Sequence, residues 1–260
     1  FRDSSAILPF SIKKITEAFN VETKKGNWDH SKTNGYTPEL GEYLKSDCLG
    51  LYQSLKAYFE SDLIKKSGPS TTIASQAQKI LRTYLKKPIY GLNEQSSELC
   101  RQACHGRRTE IFKPSGKNVT EYYINSLYPH VMKENYYPAG YAIGTKTFKK
   151  GKLGIYEVEV NAPDMHLPII PCKQDKKLLF PVGQFRTTTT SVEMEYAKKH
   201  GYEFKIIQGC YFTDKEKYFT DFITDLYKLR QGSEKNTVNN TLAKLIMNSS
   251  YGKFLFKPDK

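Results

Sequence analysis

The hydrophobic period changes twice along this chain, and that change limits the fold more than any single residue does. In ELGEYLKSDCLGLYQSLKAYFE, Leu44, Cys48, Leu51, Leu55 and Phe59 recur every three or four residues, the spacing of one helical face. In GIYEVEV, apolar and polar residues alternate, as they do in a half-buried strand. Further on, Phe219, Phe222, Ile223, Leu226 and Leu229 return to helical spacing. Helical segments on either side of a strand-rich stretch predict an α+β chain.

The flanking signals refine this outline. LPFSIKKITEAF reads as a short helix with Ser11 as N-cap and Ile12, Ile15 and Phe19 as its buried stripe. The polar segment from Glu22 to Thr37 reads as a loop. Gly68-Pro69-Ser70 breaks the chain and is read as a first domain boundary. TTIASQAQKILRTYLKK is an amphipathic helix that Pro88 stops. Residues 116–215 mix strands and turns, with LPIIP, LLFPV and FKIIQGCYF read as strands. Thr190 and Glu193 form a capping box for a helix that Gly201 ends. A turn around Gly232 leads into a last helix, LAKLIMNSSYGKF.

Composition narrows the partners. The 260 residues carry a formal net charge of +13 and 19 tyrosines. That balance favours an anionic partner, with nucleic acid ahead of a membrane surface. Lysine, arginine and tyrosine interleave, which suits phosphate contacts combined with base stacking. No apolar run approaches the length of a membrane span, and no signal peptide is visible. The text opens at Phe1 and reads as an internal piece of a longer polypeptide. Five cysteines without regular spacing argue against a disulfide framework and fit a reducing compartment.

Three short patterns carry chemistry. In the last helix, Lys244, Asn248 and Tyr251 are four and three residues apart, so a cation, an amide and a ring share one face. Arg230 ends the preceding helix and is placed to face the same way. Two cations and a ring suit a nucleoside triphosphate, which needs charge for its phosphates and a flat surface for its base. In YINSLYPHVM, Ser126 to Pro129 are read as following a strand and opening a turn, with Tyr128 sized to exclude a sugar 2′-hydroxyl. In YLKSD, Tyr43 and Asp47 are one helical turn apart, so Asp47 is a candidate ligand for a divalent metal and Tyr43 for orienting a water.

Taken in order, these elements resemble the protein-primed family B DNA polymerases of bacteriophages and mitochondrial linear plasmids. YLKSD resembles the third exonuclease motif, Y-x-x-x-D. CHGRR stands in the place of a Y-x-G-G element, and YINSLYP resembles the first polymerase motif, D-x-x-S-L-Y-P. KLIMNSSYG resembles the second, K-x-x-x-N-S-x-Y-G. The resemblance implies the end of a ribonuclease H-like 3′–5′ exonuclease domain (1–62), a linker and start of the polymerase domain (63–115), palm with the family insertion (116–215) and helical fingers (216–260). It implies template contacts at Gly106, Arg107, Arg108 and Ser126. Nucleotide contacts would fall to Arg230, Lys244, Asn248, Tyr251 and Tyr128, and exonuclease chemistry to Tyr43 and Asp47. The implied cofactor is Mg2+. The implied partners are primer-template DNA, deoxynucleoside triphosphates and a terminal protein that supplies the initiating hydroxyl. The implied setting is mitochondrial, on a linear plasmid or an integrated copy, with a viral or cytoplasmic element as the alternative.

The chain departs from the pattern at its chemical centre. Asn125 and Tyr128 fix the register, so Tyr123 occupies the aspartate position, unless a one-residue deletion removed that aspartate. A phenol with a reference pKa of about 10 is a poor substitute for a carboxylate ligand. Glu121, two residues back, is displaced by about 6–7 Å if the segment is a strand. Cys104 and Arg107 replace the tyrosine and last glycine of the template element, and no D-T-D follows Tyr251. These departures predict a partial or degenerate polymerase, with a non-catalytic nucleic-acid-binding remnant as the rival.

Overall fold

The computed structural model describes residues 3–106, 108–175, 177–235 and 237–255. The helices are α1 (Ile12–Ala18), α2 (Pro38–Glu60), α3 (Asp62–Ser67), α4 (Ile73–Tyr84), α5 (Glu94–Gln102) and α6 (Leu127–Glu134). They continue with α7 (Ser191–Lys198), α8 (Thr220–Gln231) and α9 (Val238–Ser250). The strands are β1 (Tyr137–Thr145), β2 (Gly154–Ala162), β3 (Cys172–Gln174), β4 (Lys177–Leu179), β5 (Gly183–Thr190) and β6 (Glu203–Glu216). None of the described helices is long and apolar enough to cross a membrane. The chain divides into two units: Phe1–Lys86 with Ser126–Glu134 and Tyr218–Lys260, and Lys87–Asn125 with Asn135–Lys217.

The first unit is helical. Ser11 caps α1 through its side chain, and Ile15 and Phe19 are buried beneath it, as their spacing predicts. Thr37 and Thr72 cap α2 and α4 in the same way. The Gly68 turn joins α3 to α4, which pack on each other, and Gln76 Nε2 donates to the Gly68 carbonyl at 2.9 Å. A core of Phe222, Ile223 and Leu226 from α8 meets Leu242, Ile246 and Met247 from α9. Met132 of α6 and Ile80 and Leu81 of α4 are also buried.

Helix α2 corrects the expected stripe. Leu44 and Phe59 are 49% and 39% exposed, and Cys48 is exposed, whereas Gly50, Ser54 and Tyr58 are buried. The reason is close approach. A Cβ at Gly50 would lie 2.9 Å from both Thr16 Cγ2 and the Thr23 carbonyl oxygen. Gly50 and Ser54 let α1 and the following loop settle on α2, and Tyr58 fills the same stripe; Leu44, Cys48 and Phe59 are left outside it, with Leu51 and Leu55 half-buried at its margin.

The second unit is built on an antiparallel sheet in the order β1-β6-β2-β5, with a β3-β4 hairpin beside it. In β2, Tyr156, Val158, Val160 and Ala162 point into one core with Met194 and Ala197 of α7, Ile170 and Tyr202. The opposite face brings Leu99 of α5 onto Cys210 and Phe212. The capping box of Thr190 and Glu193 is present, and Gly201 adopts φ +84° after the helix. LPIIP forms no strand and LLFPV contributes only the end of β4.

Residues 119–124 correct a second expectation. They form no strand among the described residues, and Asn125 and Ser126 turn directly into α6. Strand conformation is secured by a neighbour's hydrogen bonds, and none of the described strands pairs with this segment. Tyr122, Tyr123 and Ile124 are therefore 89%, 78% and 69% exposed.

Candidate functional site

Helix α9 sorts its residues by face. Leu242, Ala243, Ile246, Met247 and Ser250 are buried, while Lys244 and Asn248 are exposed and the C-cap residue Tyr251 is 40% exposed. The cation, amide and ring thus share the solvent face. Tyr128, in the first turn of α6, places its ring centroid 5.0 Å from that of Tyr251 at an interplanar angle of 59°. The two rings are therefore in contact.

Arg230 belongs to the same cluster. Its Nη1 donates to Ser126 Oγ at 3.2 Å, and its carbonyl accepts from Asn240 Nδ2 at 2.9 Å. The second bond ties the end of α8 to the start of α9. Ser126 adopts φ 53°, the left-handed region, and its carbonyl accepts the His130 N–H at 2.9 Å as α6 begins. A non-glycine residue held there costs on the order of 1 kcal/mol. Among the predicted residues, Arg230, Ser126, Tyr128, Lys244, Asn248 and Tyr251 all lie in the helical unit.

Tyr43 and Asp47 are also in that unit, one turn apart on α2. The residue that joins them is Lys25, in the loop before α2. Its ammonium donates to Asp47 Oδ2 at 2.7 Å and to Tyr43 Oη at 2.8 Å. These two bonds, the one to Asp47 first, raise the Lys25 pKa above its ordinary value. Gly26 lets the loop lie against the ring: a Cβ there would stand 3.1 Å from Tyr43 Cδ2. Trp28 adds a ring 5.9 Å from Tyr43. Sequence reading missed Lys25, and the only local signal was a lysine next to a glycine in a loop.

Asp47 Oδ1 is buried with no hydrogen-bond partner, an orphaned acceptor that a cation would satisfy. Its other oxygen already carries Lys25, and the described residues hold no group of three His, Cys, Asp or Glu side chains placed to share a metal. Asp47 alone would fill one position of the octahedral shell of Mg2+, whose other oxygens would come from water, substrate phosphates or further carboxylates.

The remaining predicted residues lie in the sheet unit. Arg107 falls outside the described residues. Gly106 is exposed, with open space where a Cβ would be. Arg108 is engaged within the protein: Nε donates to Glu110 at 2.6 Å, Nη1 to the Pro168 carbonyl at 2.5 Å, and the guanidinium lies 4.1 Å from the Phe180 ring centroid. The Cys104 carbonyl accepts from Lys173 Nζ at 2.6 Å. Tyr123 is solvent-facing, with Glu121 also exposed. A phenol and a single carboxyl side chain do not fit the two-magnesium set that the motif would serve.

A family model described as DNA polymerase type B, organellar and viral, matches residues 35–260. A Neurospora intermedia protein named "Probable DNA polymerase" is 31% identical over 95% of this chain, which spans 28% of that protein. The DNA polymerase of Bacillus phage phi29 is 28% identical over 99% of this chain and 48% of the phage protein. The solved structure of phi29 DNA polymerase with primer-template DNA and incoming nucleotides superposes with a TM-score of 0.78. It covers 99% of this chain and 49% of the phage chain at 26% identity. The present chain therefore spans about half the length of the phage relatives and about a quarter of the fungal one. A match to the family model from residue 35 to residue 260, on an α+β fold shared with a solved member, means that this chain belongs to the organellar and viral type B DNA polymerases.

Proposed function

We propose that the chain is the part of a protein-primed DNA polymerase that runs from the end of a 3′–5′ exonuclease domain (1–62) through a connecting segment (63–115) and palm with its insertion (116–215) to the fingers (216–260). The whole protein would add deoxynucleotides to a primer hydroxyl under template direction, releasing pyrophosphate, with a terminal protein supplying the first hydroxyl. The observation that carries this reading is the shared solvent face of Lys244, Asn248 and Tyr251, with Tyr128 against Tyr251. Lys244 and Arg230 would neutralise the triphosphate, Asn248 would fix its orientation, and Tyr251 would stack on the base. A sugar beside Tyr251 meets the Tyr128 ring, which leaves little room for a 2′-hydroxyl. Gly106, Arg107, Arg108 and Ser126 would face template. Tyr43 and Asp47, with Lys25 bridging them, would stand at the exonuclease end. A family described as organellar and viral fits a mitochondrial linear plasmid or an integrated copy as the setting, and the phage relatives fit a viral one.

A second reading, a nucleic-acid-binding remnant without catalysis, is favoured by Tyr123. Primer extension with magnesium or manganese separates the two. The expected result is no extension by the chain itself or by Tyr123→Asp, and extension by Tyr123→Asp in a longer protein that continues through a D-T-D segment. Extension by the unmodified chain overturns the reading of Tyr123 as a lost ligand. Silence from the longer protein favours the remnant.

A further inference from the structure

A second cationic and aromatic surface lies in the sheet unit, apart from every residue assigned above. The sequence TDKEK at 213–217 places its acids at even positions and its lysines at odd ones, so in β6 they project to opposite faces. Glu216 pairs with Lys87 at 2.6 Å on one side. On the other side, Lys215 and Lys217 each hold their ammonium 5.2 Å from the ring centroid of Tyr136. Among the described residues neither lysine is paired with a carboxylate. The register explains the grouping: Pro138 lies opposite Lys215 and Tyr137 opposite Glu216, so Tyr136 comes level with Lys217.

A bulge adds a second aromatic platform. The register shifts between Ala139 and Ala142, where Gly140 adopts φ 72° and the Tyr141 N–H donates to Thr213 Oγ1 at 2.9 Å. The inserted residue turns Tyr141 to the same face as Thr213 and Lys215. Tyr90 stacks on it at 4.8 Å and 29°. Tyr90, Tyr136 and Tyr141 stay 46%, 53% and 64% exposed. Past Tyr211, β6 pairs with β1 alone, so lysines here also suit the guarding of an open edge; edge protection does not account for the three exposed rings grouped with them.

We propose that this face of the β1–β6 ribbon binds single-stranded DNA, with the Tyr90–Tyr141 pair and Tyr136 stacking on bases and Lys215 and Lys217 on the phosphates. Exposed rings interleaved with unpaired cations are the features that single strands require, because every unpaired base offers a face for stacking. The choice of DNA among polyanions rests on the polymerase reading; the site itself does not use the residues of that reading.

The test uses the 260-residue chain and an oligothymidylate of about 12 nucleotides, within the site sizes such surfaces take, carrying 5-iododeoxyuridine for photo-crosslinking. Cross-links are expected on Tyr90, Tyr136 or Tyr141. Tyr136→Ala with Tyr141→Ala should weaken binding about tenfold, within the range for losing base stacking, and the matching Phe pair should restore it. Lys215→Gln with Lys217→Gln should flatten the slope of log affinity against log salt by about 1.4, at roughly 0.7 per single-strand phosphate contact. Cross-links confined to other residues, or parental affinity in the Ala pair, overturn the proposal. An equal loss for a blunt duplex overturns the stacking role. If ribbon variants bind as the parent does while Arg230→Ala and Lys244→Ala weaken binding, the ribbon site fails and the polymerase reading stands. If the parent binds no DNA at low salt, both fail.

Discussion

Replacing Lys25 by Met leaves the carboxylate of Asp47 without its partner. The side chains of Lys25 and Asp47 are 30% and 16% exposed, so their 2.7 Å pair is neither fully buried nor on open surface. Breaking a fully buried pair costs about 3–5 kcal/mol, and an exposed pair contributes at most about 1 kcal/mol. The Lys25 bond to Tyr43 is lost too, and Asp47 Oδ1 already lacks a partner. A loss of about 2 kcal/mol follows, or roughly 4–8 °C in the melting temperature of the helical unit. Thermal and urea unfolding of Lys25→Met, Asp47→Asn and the double variant form a cycle, with an expected coupling of about 1–2 kcal/mol. A coupling below about 0.3 kcal/mol would refute the argument that Lys25 and Asp47 act as a unit. The pH dependence is a second check. Asp47 and then Tyr43 raise the Lys25 pKa above its ordinary 10.5, so the folded state holds that proton more tightly. The contribution should be complete below that ordinary value and disappear as pH climbs through the raised one. Lys25→Met should lack that part of the alkaline loss, while the part that the buried Tyr58 contributes remains.

Two further substitutions test the packing of α2. Tyr58 is fully buried with an unpartnered hydroxyl, and burial pushes its pKa up to about 12. Tyr58→Phe should leave stability unchanged or raise it by about 1 kcal/mol in urea unfolding; it should also remove the part of the alkaline loss that Tyr58 contributes from its ordinary 10.0 up through about 12, leaving the Lys25 part in place. Gly50→Ala should destabilise by about 1–3 kcal/mol through overpacking against Thr16 and the Thr23 carbonyl, although alanine is the better helix former by about 1 kcal/mol; a gain in melting temperature would show that the contact is looser than the geometry describes.

What could be read in advance follows the range of the interactions. The face of α9 was legible because its spacing is local, and so were the β2 alternation and the Thr190 capping box. The stripe on α2 was misread because hydrophobicity was weighed without volume: Gly50 and Ser54 are buried for being small. Lys25 was invisible because no local period links a loop lysine to residues eighteen and twenty-two positions on. Strand β1 was hidden by Pro138 and by the bulge between Ala139 and Ala142 that holds Gly140. Residues 119–124 were overread for the opposite reason, since a β-prone sequence makes a strand only where a neighbour accepts its hydrogen bonds.

The division of α9 into a packed face and a bare one bears on how such a gene decays. Leu242, Ala243, Ile246 and Met247 are protected by stability, because any change there threatens the unit. Lys244 and Asn248 have no such protection, and Tyr123, on open surface, has none either. In a copy released from selection for catalysis, exposed positions would change first and buried ones much later, so the folded body would outlast its chemistry by many substitutions. If Tyr123 marks a lost ligand, as proposed, intact residues on the bare face counted across related copies would serve as a clock: they would separate a lesion too recent to have company from a surface still selected for binding after synthesis had ceased.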